Sequence, residues 1–222
     1  KEIIFGINEK EISKDDSIFS SSICDSNAAA HIINFFDKKY KILSGTIITL
    51  HPWLTYQNLL DGAAKGISSD RNKYTPKLEN NKHLEGNFAL GRSSIGSLIP
   101  KETSVMKSTE KIIKNIKGKI MSYSFRVPTS TVTSAIIYLN TKSKLNRTKI
   151  INELKTLSKK SFISLNTEYL VSKDYEKNTS SLIIDINSLK IISNSVQINI
   201  WYDNEWGYSS RVLDLAKFIT KK

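Results

Sequence analysis

The sequence predicts an α+β fold, a mixed and mostly antiparallel sheet covered by helices, and three observations carry that expectation. β-Branched runs bounded by turn residues recur at 119–127, 132–140, 167–172, 181–186 and 196–202. Several follow one another with no helical pattern between them, which favours antiparallel pairing. Helical periods occur at Ser26 to Lys39, Val105 to Ile116, 147–159 and 209–220. A chain of 222 residues, 39% of them apolar, is long enough for one large core or two small ones.

Taken in order, Glu2-Ile3-Ile4-Phe5-Gly6-Ile7-Asn8 reads as a short strand, and the lack of an initiator methionine reads as the middle of a longer protein. After a polar stretch, Ala29, Ile32, Ile33 and Phe36 fall on one face of a helix whose N-cap is Asp25 or Ser26. Cys24 then stands at a helix N-terminus. The run Gly45 to His51 is β-branched and stops at Pro52, so it reads as a strand that delivers His51 at its C-terminal end. Residues 52–97 hold no sustained period and read as a long irregular loop, with Ser68 to Asn87 its most polar part and 63–87 expected to be mobile or irregular.

Composition excludes several classes. No run of about 18 apolar residues is present to span a membrane, and KEIIFGINEK has neither the apolar core nor the cleavage site of a signal peptide. A single cysteine forms no internal disulfide, which fits a reducing, cytoplasmic setting. His31, His51 and His83 lie far apart without metal-ligand spacing, so no metal is expected. His31 falls on the polar stripe of its helix and His83 in the polar loop. The net charge of +12 comes mostly from Lys in 101–120 and 141–160 at helical spacing, which reads as solvated helix faces, with nucleic-acid association as the alternative.

The chemistry concentrates on Cys24. A helix N-terminus and a neighbouring imidazole both favour thiolate, and such sites lower a cysteine pKa from about 8.5 into roughly 3.5–7.5. Cys24 is thus the candidate nucleophile and His51 its candidate base.

Four patterns occur in order: Ser22-Ile23-Cys24-Asp25-Ser26-Asn27, Thr49-Leu50-His51, Phe125-Arg126-Val127-Pro128-Thr129, and Trp201-Tyr202-Asp203-Asn204-Glu205-Trp206-Gly207-Tyr208-Ser209. Cys24 and His51 are 27 residues apart. Partial matches include Gly6-Ile7-Asn8, Asp61-Gly62, Ile99-Pro100 before Thr103 and Lys107, Gly118-Lys119 and Arg211 to Leu215. As an ordered set they resemble the catalytic domain of the glyceraldehyde-3-phosphate dehydrogenase family, over nearly the whole chain except about 63–87.

The resemblance implies that residues 1–222 are a catalytic domain of a glycolytic, NAD- or NADP-dependent oxidoreductase that oxidises a phosphorylated aldehyde through a cysteine thioester. It implies Cys24 and His51 as catalytic, Arg126 and Thr103 as substrate-binding, and Asn204 and Tyr208 as cofactor-binding residues, within a homotetramer. For Thr103, helix capping is the competing role. Trp201, Tyr202 and Trp206 are expected in the core. The NAD-binding Rossmann domain is absent from this chain, since no G-x-G-x-x-G occurs, and the isolated chain is expected to be inactive without it. A diverged non-catalytic scaffold, or a basic nucleic-acid-associated module that keeps the fold, is the alternative.

Three departures cluster at the chemistry. The family's serine before the cysteine is Ile23, its threonine after it is Asp25, and a threonine three residues past the histidine is Leu54. Asp25 either faces the phosphate site and repels inorganic phosphate, leaving water as the acyl acceptor, or turns away to cap the helix. A charge pair about 6 Å apart at an effective dielectric of about 20 costs roughly 3 kcal/mol.

Overall fold

The sheet is organised around one long strand, β1 (Ile42–Pro52), whose alternate residues Gly45, Ile47, Thr49 and His51 point into the core. In the computed structural model, which describes residues 1–55, 57–62 and 91–221, β1 is flanked by β3 (Ile120–Val127) in parallel and by β4 (Thr133–Thr141) in antiparallel register. The remaining strands are β2 (Ile99–Lys101), β5 (Ile163–Asn166), β6 (Leu182–Ile192) and β7 (Ser195–Tyr202), giving the order β2-β3-β1-β4-β7-β6-β5. Among the described residues only β1–β3 and β5–β6 pair in parallel, and the other four strand pairs are antiparallel. The sheet is therefore mixed and mostly antiparallel, as the sequence predicts.

Among the described residues three helices pack against it, α1 (Cys24–Tyr40), α2 (Val105–Ile112) and α3 (Arg147–Leu157), while α4 (Trp206–Thr220) packs on α1 and, through Leu215, on Ile3 and Ile12 of the N-terminal segment. Ile47, Ile137 and Ile198 are mutual register partners on β1, β4 and β7, and all three are fully buried. They join Ala28, Ile32, Ile33 and Phe36 of α1, Val105 and Met106 of α2, and Ile150 and Leu154 of α3 in one hydrophobic cluster. Three successive small residues, Ala28, Ala29 and Ala30, let α1 approach the sheet closely, and all are buried. Among the described residues no helix is long and apolar enough to cross a membrane.

Local expectations are corrected in several places. Residues 2–8 form no strand: only a single bridge joins Glu2 to Ser20, and Gly6, at φ +88°, turns the chain while Asn8 Oδ1 accepts the Ile4 N–H. α1 begins at Cys24 rather than Ser26, with Ile23 at its N-cap and no side-chain cap; the Asn27 amide instead donates to the Ser21 and Ile23 carbonyls. The expected strand at 167–172 is replaced by β5 at Ile163–Asn166, because Ile163 is buried and pairs with Leu182, whereas Tyr169 and Val171 are exposed. β2 was not expected. The 63–87 segment lies outside the described residues.

The start of α4 depends on a close backbone approach. A Cβ on Gly207 would stand 2.6 Å from the Ser180 carbonyl oxygen. Gly207→Ala is expected to cost about 1–3 kcal/mol, visible as a lowered Tm in thermal unfolding followed by circular dichroism; an unchanged Tm would show that the contact is not maintained.

Candidate active site

The ends of β1 and β3 meet under the N-terminus of α1. Parallel register places His51 directly beside Arg126, and both side chains are buried. Above them Cys24, the first helical residue, sets its Sγ 3.9 Å from His51 Nε2. The three residues that the sequence nominates for chemistry and substrate binding are thus brought together.

Asp25 decides the electrostatics. Its side chain does not cap α1 but is buried beneath the thiol, where Oδ1 accepts from Cys24 Sγ at 3.4 Å and from the Tyr202 hydroxyl at 2.8 Å. Oδ2 accepts from Thr103 Oγ1 at 3.3 Å. Of the two orientations open to the sequence, the fold selects the one that faces the site. Burial pushes the Cys24 thiol up, and the Asp25 charge adds to that, to about 12. The expected depression of the thiol is therefore reversed. Although the helix N-terminus is present, a macrodipole contributes at most about 2 kcal/mol even in a partly buried setting, and burial together with the carboxylate in contact with the sulfur outweighs it.

His51 is held below the usual imidazole range, first by burial and then by Arg126, so it is neutral and lends the thiol no positive charge. Arg126 Nη1 contacts His51 Nδ1 and also donates to the Pro52 carbonyl at 3.2 Å. A guanidinium only donates, so this contact makes Nδ1 the acceptor and leaves the ring hydrogen on Nε2, facing Cys24. The Pro52 carbonyl lies 3.2 Å from Nδ1 as well, and it suits the other tautomer, in which Nε2 has the free lone pair a base requires.

The remaining nominated residues take up supporting positions. Besides reaching Asp25, Thr103 Oγ1 accepts the Val105 N–H at 3.2 Å at the start of α2. The Tyr208 hydroxyl donates to the Ser22 carbonyl at 3.3 Å, tying α4 to the turn before Cys24. Asn204 Oδ1 accepts from Thr133 Oγ1 at 3.4 Å, and the Thr133 hydroxyl also bonds to Tyr202. A polar chain thus runs from Asn204 through Thr133 and Tyr202 to Asp25.

Sequence reasoning missed two participants and misplaced others. Tyr202 is buried as expected, but its hydroxyl serves the site. Lys101, at the end of β2, has its ammonium pushed down by burial and by Arg126, while Asp25 and Cys24 act in the opposite sense; only the pairing of β2 with β3 brings it there. Trp206 is exposed rather than in the core. His31 is buried rather than on a polar stripe, because Phe162 covers it with ring centroids 5.3 Å apart. His83 lies outside the described residues.

With this geometry in view, the fold is an α+β domain that sets a cysteine at a helix start over a strand-borne histidine and arginine. The family model "Glyceraldehyde 3-phosphate dehydrogenase, C-terminal domain" matches residues 71–204. Glyceraldehyde-3-phosphate dehydrogenase of Podospora anserina is 29% identical over 98% of this chain and 60% of its own length. The cytosolic enzyme of Chlamydomonas reinhardtii is 30% identical over 99% and 60%, and cytosolic enzyme 3 of Zea mays is 30% identical over 96% and 59%. The chain belongs to the glyceraldehyde-3-phosphate dehydrogenase family, in its C-terminal domain, and spans about 60% of the length of these relatives.

Two measurements check these electrostatics. Burial, then Lys160 and Arg211, pushes His31 down to about 3. A folded pKa below the unfolded value of about 6.5 means that the unfolded chain binds the proton first as pH falls. Stability that is full above about 6.5 is thus lost progressively toward 3, and His31→Gln should flatten that part of the unfolding profile. Iodoacetamide should label Cys24 more slowly at neutral pH than a free thiol, with a rate still rising well above pH 9. Asp25→Asn should accelerate labelling at pH 7 about tenfold or more. A Cys24 titration midpoint below about 8 in the unaltered chain would refute the reading.

Proposed function

We propose that this domain supplies the nucleophile and the substrate-binding residues of an aldehyde-oxidising dehydrogenase. The observation that carries the reading is the convergence of Cys24 Sγ, His51 Nε2 and the Arg126 guanidinium at the end of two parallel strands. In the proposed reaction Cys24 Sγ bonds to the aldehyde carbonyl carbon while the S–H bond breaks and its proton passes to the carbonyl oxygen, giving a hemithioacetal. Loss of the hydroxyl proton toward His51 Nε2, in its Nδ1–H tautomer, and of hydride from the same carbon leaves a thioester, which phosphate or water releases.

Arg126 and Lys101 supply positive charge for an anionic substrate. Asn204 and Tyr208, linked to Tyr202 and to Ser22 beside the nucleophile, fit the nicotinamide end of NAD or NADP, whereas no G-x-G-x-x-G in the chain would cradle the dinucleotide phosphates. When bound, the cofactor supplies the hydride acceptor. The outer sheet face exposes Met121, Tyr123 and Tyr138, which supports a homo-oligomer. The relatives named cytosolic support a cytoplasmic setting.

The bonded Asp25 also favours a second reading, a diverged and catalytically silent domain whose thiol stays protonated. Activity discriminates. In the protein combined with its nucleotide-binding domain, Cys24→Ser is expected to abolish NAD(P)-dependent aldehyde oxidation, and no oxidation by the unaltered protein would establish the silent reading.

Asp25→Thr is expected to raise kcat/KM for phosphate about tenfold or more, since about 1.4 kcal/mol corresponds to each factor of ten, with a smaller change in hydride transfer. Efficient phosphate use by the native protein that Asp25→Thr leaves unchanged would remove Asp25 from any role in choosing the acyl acceptor.

A further inference from the structure

The fold assembles a set of donor atoms that no spacing in the sequence announces. Cys24 Sγ, a carboxylate oxygen of Asp25 and a ring nitrogen of His51 all lie within 4.8 Å of one another. Sγ is 3.4 Å from Asp25 Oδ1 and 3.9 Å from His51 Nε2. Around a tetrahedral zinc ion with bonds of about 2.0–2.3 Å, neighbouring ligand atoms stand roughly 3.3–3.7 Å apart. The sulfur–oxygen edge already has that spacing, the sulfur–nitrogen edge reaches it with a shift of a few tenths of an ångström, and the oxygen–nitrogen edge, within 4.8 Å, closes by at most roughly 1.5 Å as the side chains turn toward the ion.

We propose that Cys24, Asp25 and His51 form a binding site for a zinc-class divalent cation, with the fourth coordination position open. The mixed sulfur, nitrogen and oxygen set suits zinc rather than calcium or magnesium, which take six or more ligands, chiefly oxygens. It goes beyond the dehydrogenase reading and does not depend on it.

The surroundings resemble the outer layer of a metal centre. The ligating carboxylate is held by Tyr202 at 2.8 Å and by Thr103 at 3.3 Å. The Pro52 carbonyl stands 3.2 Å from His51 Nδ1, where a ring N–H needs an acceptor once Nε2 is on the metal. Arg126 opposes loading, because its Nη1 contacts that same Nδ1. It approaches from the edge of the ring away from Cys24, however, and it retains the Pro52 carbonyl as a partner when it withdraws. Lys101 adds further repulsion. On coordination the Sγ–H bond breaks, its proton passes to solvent and an S–metal bond forms. The thiolate and carboxylate together then balance the ion's two charges, and Cys24 is no longer available for attack. The loaded site is an off state for any chemistry at the thiol.

The test uses the unaltered chain with Zn²⁺ or Co²⁺ alone. One Zn²⁺ per chain should bind at micromolar concentration, and Co²⁺ should give a sulfur-to-metal charge-transfer band that Cys24→Ser abolishes. Asp25→Asn and His51→Gln should each weaken Zn²⁺ binding at least tenfold; unchanged affinity in either would overturn the site.

A measurement without variants guards against misfolding: Zn²⁺ should protect Cys24 from iodoacetamide in mildly alkaline buffer, with EDTA restoring the reaction. Unimpeded alkylation at saturating Zn²⁺ would also overturn the site. Both results leave the dehydrogenase reading untouched, since that is decided by aldehyde oxidation in metal-free buffer.

Discussion

Parallel pairing of β1 with β3 is the constraint on which the rest of the site depends. Parallel neighbours cannot be joined by a tight turn, so the chain leaves the end of β1, runs through 53–98 and returns by way of β2 and α2 before β3 begins. The crossover has two consequences. It lays His51 beside Arg126 at the C-terminal ends of the two strands, and it brings β2 and Thr103 to the same end of the sheet, where Thr103 bonds to the Asp25 carboxylate. α1, seated on the sheet by its alanines, completes the arrangement by lowering Cys24 over the strand ends.

Within that frame a single carboxylate sets the chemical character of the thiol. A helix N-terminus and an imidazole are the usual means of making a thiolate, and both are present. The imidazole is neutral because burial and Arg126 keep it so, and the helix terminus is outweighed by burial and by Asp25. Tyr202 and Thr103 hold the carboxylate in place, so Asp25 is fixed beneath the sulfur. Both proposals rest on this one arrangement: attack by the sulfur on a carbonyl carbon when the proton can be removed, and coordination when a cation replaces the proton.

Much of the fold was legible because hydrophobic period is a local property. The β-branched run into His51, the apolar stripe of Ala29, Ile32, Ile33 and Phe36, and the last helix each reveal themselves within a dozen residues. The errors fall where neighbours override local preference. Gly6 turns a segment that reads as a strand, Ile163 displaces the expected strand at 167–172, and His31 is buried because Phe162, distant in sequence, covers it.

The sequence by itself determined the class of the sheet, the position of Cys24 at a helix start and the nomination of His51, Arg126, Thr103, Asn204 and Tyr208, since these follow from period, helix-start and strand-end signals, and ordered motifs. Only the tertiary structure decided that Asp25 faces the thiol rather than capping α1, that Arg126 contacts His51, and that Tyr202 and Lys101 belong to the site. Side-chain direction inside a core is fixed by packing between segments far apart in the chain, and the charge state of a buried sulfur follows from what that packing places within a few ångströms of it.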